Sequence, residues 1–151
     1  MLLSKTFGYA LRGILFIALM QDENRKVQLN EISGKLSVPK YYLGKIMQQM
    51  VKAGMLQSVK GPSGGFFLAA NTLNTSLLQL AEITDGMKNF NTCVLQMKNC
   101  NPINPCPLHR DIEEIKAKIL YVFTYTKIGD LLYQNKGEFI RGLSILKNGL
   151  V

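Results

Sequence analysis

All three cysteines and the single histidine of this chain lie in one stretch, Cys93 to His109, with the spacing C-x6-C-x5-C-x2-H. Thiolates are soft ligands suited to zinc or to iron–sulfur clusters, and a neutral imidazole nitrogen completes either kind of set. Pro102, Pro105 and Pro107 interleave with them. Proline fixes φ and has no backbone donor, so the stretch is predicted to be a loop and not a regular helix. A loop of this length in a small domain is usually functional or disordered. Stiffening by three prolines lowers the entropy lost when it closes around an ion. Residues 87–107 therefore read as a ligand-binding or redox-sensing loop, with Cys93, Cys100, Cys106 and His109 as its candidate ligands.

The plainer alternative is that these are ordinary buried thiols, since free cysteine behaves as a small hydrophobe. Scattered cysteines would fit that description. Gathered in a polar Pro/Asn segment without apolar periodicity, they do not. An odd count also argues against a purely intramolecular disulfide framework.

A site of this kind needs a scaffold and something to control. The chain has 151 residues, 47% of them hydrophobic, enough for one domain with a real core plus an extension. Its formal net charge is +8 and it is unevenly spread: residues 1–70 hold nine Lys/Arg against three Asp/Glu, the rest nine against seven. Between Glu31 and Glu82 there is no carboxylate, while Lys35, Lys40, Lys45, Lys52 and Lys60 fall in that window. A one-signed field of this kind suits a polyanion such as DNA, although a solvated lysine face is the commoner origin of such a run. The apolar run Ala10–Met20 is interrupted by Arg12 and Gly13, has no small-residue cleavage site and is too short to span a bilayer. Clustered thiols without an export signal predict a reducing, cytoplasmic setting and no membrane partner.

Taken in order, Ser4 to about Gln21 predicts a first helix with Leu11, Ile14, Leu15, Ala18 and Leu19 as its apolar stripe. Val27–Leu29 is a short extended lead-in to a second helix ending at Leu36. Ser37-Val38-Pro39 makes a tight turn, and a third helix runs from about Pro39 to Ala53, stopped by Gly54. Its inner face is Leu43, Ile46, Met47 and Met50. Lys40, Tyr41, Gly44, Lys45, Gln48, Gln49 and Lys52 face out. Two helices joined by a tight turn, the second with a Lys/Gln/Tyr face, is a helix-turn-helix pattern. Two short strands flank Lys60-Gly61-Pro62-Ser63-Gly64-Gly65, a hairpin tip that demands positive φ or close backbone approach. Its bare N–H groups and Lys60 suit a phosphate backbone. Helix-turn-helix followed at once by a β-hairpin is the winged-helix arrangement, a mainly α fold with a small β wing.

After the wing, a helix from about Ser76 to Thr84 ends at Asp85-Gly86, and the cysteine loop follows. Then Leu108, Ile112, Ile115, Ile119, Val122 and Thr126 recur at heptad spacing, with Arg110, Asp111, Glu113, Glu114, Lys116 and Lys118 on the other face. A seam this regular is most economically a homodimer contact. Leu131-Leu132-Tyr133 is expected to pack back on the core. The chain thus divides into a DNA-binding unit (1–86), a sensor loop (87–107), a dimerisation helix (108–134) and a partly ordered tail (135–151).

Several of these segments together resemble the Rrf-type winged-helix transcription regulators, the family of IscR, NsrR and CymR. The resemblance covers about residues 2–134. It is carried by Leu3-Ser4-Lys5 with Tyr9-Ala10-Leu11-Arg12, Leu29-x-x-Ile32-Ser33, Tyr42-Leu43, and most specifically Gly54-Met55-Leu56-x-Ser58-Val59-Lys60-Gly61-Pro62-x-Gly64-Gly65-Phe66-x-Leu68. In IscR-like members it implies a 2Fe–2S cluster held by three cysteines and a histidine two residues beyond the third, an arrangement that Cys93, Cys100, Cys106 and His109 match. The first interval, six residues, is one longer than the pattern. Gly8 stands where NsrR-like members place an aspartate ligand, so the resemblance points to His109 as the fourth ligand. Gly44 stands where IscR-like members carry a glutamate on the recognition helix, so base selectivity does not transfer.

The function predicted is that of a DNA-binding transcription regulator, a repressor, and not an enzyme. Its expected DNA contacts are Lys5, Lys40, Tyr41, Gly44, Lys45, Gln48, Lys60, Gly61, Ser63 and Gly64. A homodimer would set two recognition helices about 34–36 Å apart, or a multiple, on an inverted-repeat operator of double-stranded DNA. Two readings compete over the cysteines: a zinc site, or bare thiols acting as a switch without any cofactor. A thiol oxidoreductase fits poorly, because there is no C-x-x-C, no Gly-rich nucleotide loop and no second histidine.

Overall fold

The computed structural model describes residues 3–21, 25–133 and 142. Helix α1 (Lys5–Met20) is the centre of the fold. Ser4 caps it by accepting from the Phe7 N–H at 3.3 Å, which satisfies one of the unpaired donors of the first turn. The stripe expected on one side is wider in the structure: Ala10, Ile14, Leu15, Phe16 and Ile17 are all buried, while Leu11 and Ala18 are only partly so. A helix that is apolar all round must be covered all round. Here α2 (Leu29–Leu36), α3 (Lys40–Lys52), strand β2 (Gly65–Leu68) and α4 (Leu77–Asp85) do the covering. At Gly13 a Cβ would come within 2.7 Å of Met47 Cε, so this glycine permits the close approach of α1 and α3.

The helix-turn-helix takes the predicted form. Ser37 closes α2 in the left-handed region (φ 54), Ser33 Oγ donates to the Val38 carbonyl at 2.7 Å, and Pro39 precedes the first turn of α3. Leu43, Ile46, Met47 and Met50 are buried as the periodicity requires. Strand β1 (Leu56–Val59) pairs antiparallel with β2 in the register Leu56↔Leu68 to Val59↔Gly65. Val27 adds a third rung, exchanging both backbone hydrogen bonds with Phe66 at 2.8 and 2.9 Å. This is a winged helix.

Beyond the wing, α4 opens with a reciprocal capping box between Ser76 and Gln79. The segment expected to be loop from residue 87 begins instead with one helical turn, α5 (Lys88–Asn91), whose Phe90 is buried. From Thr92 to Leu108 there is no regular element. Then α6 (His109–Tyr125) runs back along α4, and Phe7 and Phe123 stack at 5.7 Å between ring centroids. Chain hydrogen bonds from Leu77 N–H to the Thr126 carbonyl and from Ile128 N–H to the Thr75 carbonyl, both 2.9 Å, lace the end of α6 to the start of α4. In α7 (Asp130–Tyr133), Leu131 and Leu132 pack on the core as expected, but Tyr133 is 86% exposed. The tail expected from residue 135 lies outside the described residues, Gly142 apart. Among those described, no helix is long and apolar enough to cross a membrane.

Candidate metal centre and nucleic-acid interface

A chain of tight turns, not a secondary-structure element, folds the cysteine stretch. Gln96 N–H donates to the Cys93 carbonyl at 2.9 Å, with Gln96 itself at φ 56. Asn101 Oδ1 accepts from the N–H groups of Ile103 (2.8 Å) and Asn104 (2.9 Å), an Asx turn typical of this residue. His109 N–H donates to the Cys106 carbonyl at 3.0 Å, which starts α6. These turns bring the three sulfurs within 4.8 Å of one another. Cys93 and Cys106 Sγ are 3.7 Å apart, and Cys100 Sγ lies 3.2 Å from His109 Nδ1. Cys106 is buried; Cys93, Cys100 and His109 are half-buried. All four candidate ligands are thus gathered at the N-terminus of α6.

The donor set fits a soft cation. Two thiolates on one tetrahedral ion with bonds of about 2.3 Å lie roughly 3.8 Å apart, close to the Cys93–Cys106 distance. Backbone hydrogen bonds favour the thiolate at Cys93: the Met97 N–H chiefly, then the Leu95 N–H and the two neighbouring thiols, outweigh desolvation and bring its pKa down to about 7. Cys100 moves the other way. The Cys106 N–H lowers its pKa, but desolvation and the sulfurs of Cys106 and Cys93 together outweigh it and raise the value.

Helix α3 presents Lys40, Tyr41, Lys45, Gln48 and Lys52 to solvent, as predicted. Lys45 Nζ sits 4.5 Å above the Tyr41 ring, a cation–π pair with Tyr41 still 78% exposed. These residues, with Gly44, Leu29 and Phe66, line an open groove of about 900 Å³. Lys5, Lys60, Gly61 and Ser63 are exposed as well. Two expectations need correcting. Gln49 borders the same groove but is half-buried, and its amide is already engaged: Nε2 donates to the Ile83 carbonyl at 2.9 Å, tying α3 to α4. Gly64 offers no bare donor at the wing tip, because it is buried and its N–H donates to the Gly61 carbonyl at 3.0 Å. A Cβ there would collide with the Val59 carbonyl, so glycine is required by close packing.

Along α6 the expected seam is open in the single chain. Leu108, Ile115 and Val122 are 42%, 51% and 52% exposed, and Ile112 and Ile119 are half-buried. Thr126 lies one residue past the helix, half-buried, with its carbonyl engaged by Leu77. Lys116, expected on the charged outer face, is buried. It turns inward on the same side of α6 as Phe123, which stacks on Phe7 of α1, while its own ammonium reaches the Thr92 carbonyl.

Three ties went unread at the sequence level. Asp85 holds Ser4 through both its backbone N–H (2.6 Å) and its hydroxyl (2.5 Å). Gln28 Nε2 donates to the Pro62 carbonyl at 2.8 Å and fixes the wing tip. Gln49 is the third. Each joins residues more than thirty positions apart, so local pattern carries no signal for it.

Comparison with known proteins agrees with this architecture. A family model described as Rrf2, iron-dependent transcriptional regulator, matches residues 3–134. An Aquifex aeolicus (strain VF5) protein named "Putative HTH-type transcriptional regulator" is 34% identical over 134 residues, covering 87% of this chain and 92% of that one. The HTH-type transcriptional regulator IscR of Vibrio vulnificus (strain YJ016) is 26% identical, over 85% of this chain and 75% of its own length. Among solved structures, CymR, the global cysteine regulator of B. subtilis, superposes with a TM-score of 0.68 at 19% identity, over 85% of this chain and 94% of that one. On the family match across residues 3–134, this chain belongs to the Rrf2 family of transcriptional regulators.

Proposed function

We propose that the protein is a cytoplasmic homodimeric regulator that binds an inverted-repeat DNA operator and whose affinity is set by the state of the Cys93–Cys100–Cys106 site. The observation that carries this is the convergence of three thiols within 4.8 Å, with the His109 ring against one of them, at the first turn of the helix that bears the open seam. Cys93, Cys100 and Cys106 would hold the bound group and His109 would supply the fourth donor. A 2Fe–2S cluster, as in the IscR-like pattern, would supply one-electron redox chemistry and sensitivity to oxidants. The 3.7 Å Cys93–Cys106 distance favours a second reading, a single zinc ion held by the same residues.

In either case this chain's own residues do the coupling. α3 enters the major groove, with Gln48 reading base edges and Lys40 and Lys45 on phosphates. Lys5, Lys60, Gly61 and Ser63 bracket the backbone on either side. Leu108, Ile112, Ile115, Ile119 and Val122 of two copies pack together and set the spacing of the two heads. The cysteine stretch hangs between α4 and α6, and α4 is tied to α3 through Gln49–Ile83 and to the start of α1, beside Lys5, through Ser4–Asp85. A shift of the stretch therefore reaches the α3 register and the dimer angle together. Allosteric couplings of this kind amount to about 1–3 kcal/mol.

The test is iron, acid-labile sulfide and zinc content of anaerobically purified protein beside the variants Cys93→Ser, Cys100→Ser, Cys106→Ser and His109→Ala. A bound group that is lost in every cysteine variant, and retained poorly in His109→Ala, is the expected outcome. Iron with sulfide selects the cluster; zinc alone selects the second reading; neither, even after reconstitution, overturns the site.

A further inference from the structure

Among the described residues, Lys116 is the one charged side chain that is buried. Its ammonium donates to the Thr92 carbonyl at 3.0 Å and to Glu113 Oε1 at 3.1 Å, and that carboxylate is itself about half exposed. Taking an ammonium out of water costs several kcal/mol, which one carbonyl and one hydrated carboxylate offset only in part. Lys116 also lines, with Cys93, Cys106 and His109, the small cavity beneath the cysteine stretch, and with Thr92 and Cys93 the neighbouring cavity of about 470 Å³. A fixed cation therefore borders the cavity that Cys93, Cys106 and His109 line.

We propose that Lys116 is the positioning and charge-balancing residue of the cysteine site. Its bond to Thr92 fixes the arm from which Cys93 hangs. Its charge offsets the negative charge that develops when the thiols lose protons to bind a cation. The inference rests on the reading of the cysteines as a metal-binding set. It differs from a plain tie between loop and helix in what substitutions do. Methionine has a similar length and no charge, and because the Glu113 carboxylate is half exposed it stays hydrated when its partner is removed, which keeps the cost to the fold itself small. Glutamine keeps a donor for Thr92 but no charge. Arginine keeps both.

The experiment is a cobalt(II) titration of the fully reduced, metal-free protein, followed by thiolate-to-cobalt charge-transfer absorption, with thermal melting of the metal-free form alongside. Lys116→Met and Lys116→Gln are expected to weaken cobalt binding about 10–100-fold, the scale of outer-sphere partners, while Lys116→Arg stays within about threefold of wild type. Metal-free melting is expected to change little in Lys116→Met, because Glu113 is half exposed and stays hydrated without its partner. Should that variant fail to fold, Lys116→Gln against Lys116→Arg gives the same discrimination. Cobalt affinity unchanged in both uncharged variants, or Lys116→Gln binding as well as Lys116→Arg, overturns the charge role. Wild type that binds no cobalt overturns the metal-site reading, and the inference with it.

Discussion

The DNA-reading half and the cysteine stretch of this protein are held by different physics. The described residues between Leu3 and Asp85 close around α1, with Ile14, Leu15, Ile32, Leu43, Met47, Met50 and Leu80 at 2% exposure or less. Residues 93–108 have no regular element and show Val94, Leu95, Met97 and Ile103 to solvent; only Cys106 among them is buried. Burial of whole side chains at about 1.5–3 kcal/mol each fixes the shape of the first region from within. The second is closed by short-range turns that gather its sulfurs, with little buried apolar surface behind them. Under the proposed function, a packed reading head joined to a turn-built strap lets a signal move one part without melting the other.

The contrast can be broken most severely at the proposed dimer seam. Ile115→Asp with Ile119→Asp places two charges in an apolar contact, each costing several kcal/mol unless it stays hydrated. Sedimentation is expected to show monomer, and tight operator binding to vanish with it; a double variant that remains a dimer puts the interface elsewhere. Next in size is the core. Leu43→Ala is expected to cost about 2–5 kcal/mol in denaturant unfolding. Cys100→Ser is expected to change unfolding by less than about 1 kcal/mol while abolishing metal loading. Similar losses from both would erase the distinction between head and strap.

A smaller effect concerns base reading. Gln48→Ala is expected to relax preference at one operator position by about 1–3 kcal/mol. Lys60→Ala is expected to weaken all duplexes alike and lower the salt slope by about one. Smallest is a pH effect on the metal-free thiols. With its pKa at about 7, Cys93 is half thiolate near neutrality, so its alkylation slows as pH falls below 7 and levels off above 8. Cys100, whose pKa is raised, is expected to lag at every pH up to the ordinary thiol range. Peptide mapping of iodoacetamide adducts between pH 6 and 9 resolves the two; equal rates at Cys93 and Cys100 would contradict the geometry of the Met97 and Leu95 donors.

Periodicity made most of the head legible. The inner face of α3 was written in Leu43, Ile46, Met47 and Met50, and the wing in its glycines and proline. The clustering of Cys93, Cys100 and Cys106 followed from their crowding in sequence. What pattern could not supply were the ties across distant segments, Asp85 to Ser4 and Gln28 to Pro62, since hydrogen bonds between remote residues leave no local trace. Lys116 carries little signal, because a charged residue next to a heptad seam is normally solvated; its heptad spacing to Phe123 is the one local hint that it turns inward. Gly64 was read as an exposed donor, when the tightness of the tip turns its N–H onto the Gly61 carbonyl.

The central claim is that the cysteine site controls DNA affinity. Its most direct test measures binding of one protein preparation, before and after chelation of its bound group, to a duplex obtained by in vitro selection, at fixed salt. A change of about 5–150-fold in dissociation constant is expected, the range of a 1–3 kcal/mol coupling, and Cys100→Ser should be locked at the stripped value. Equal affinity of the loaded and stripped forms, in a protein shown to lose its metal, would contradict it.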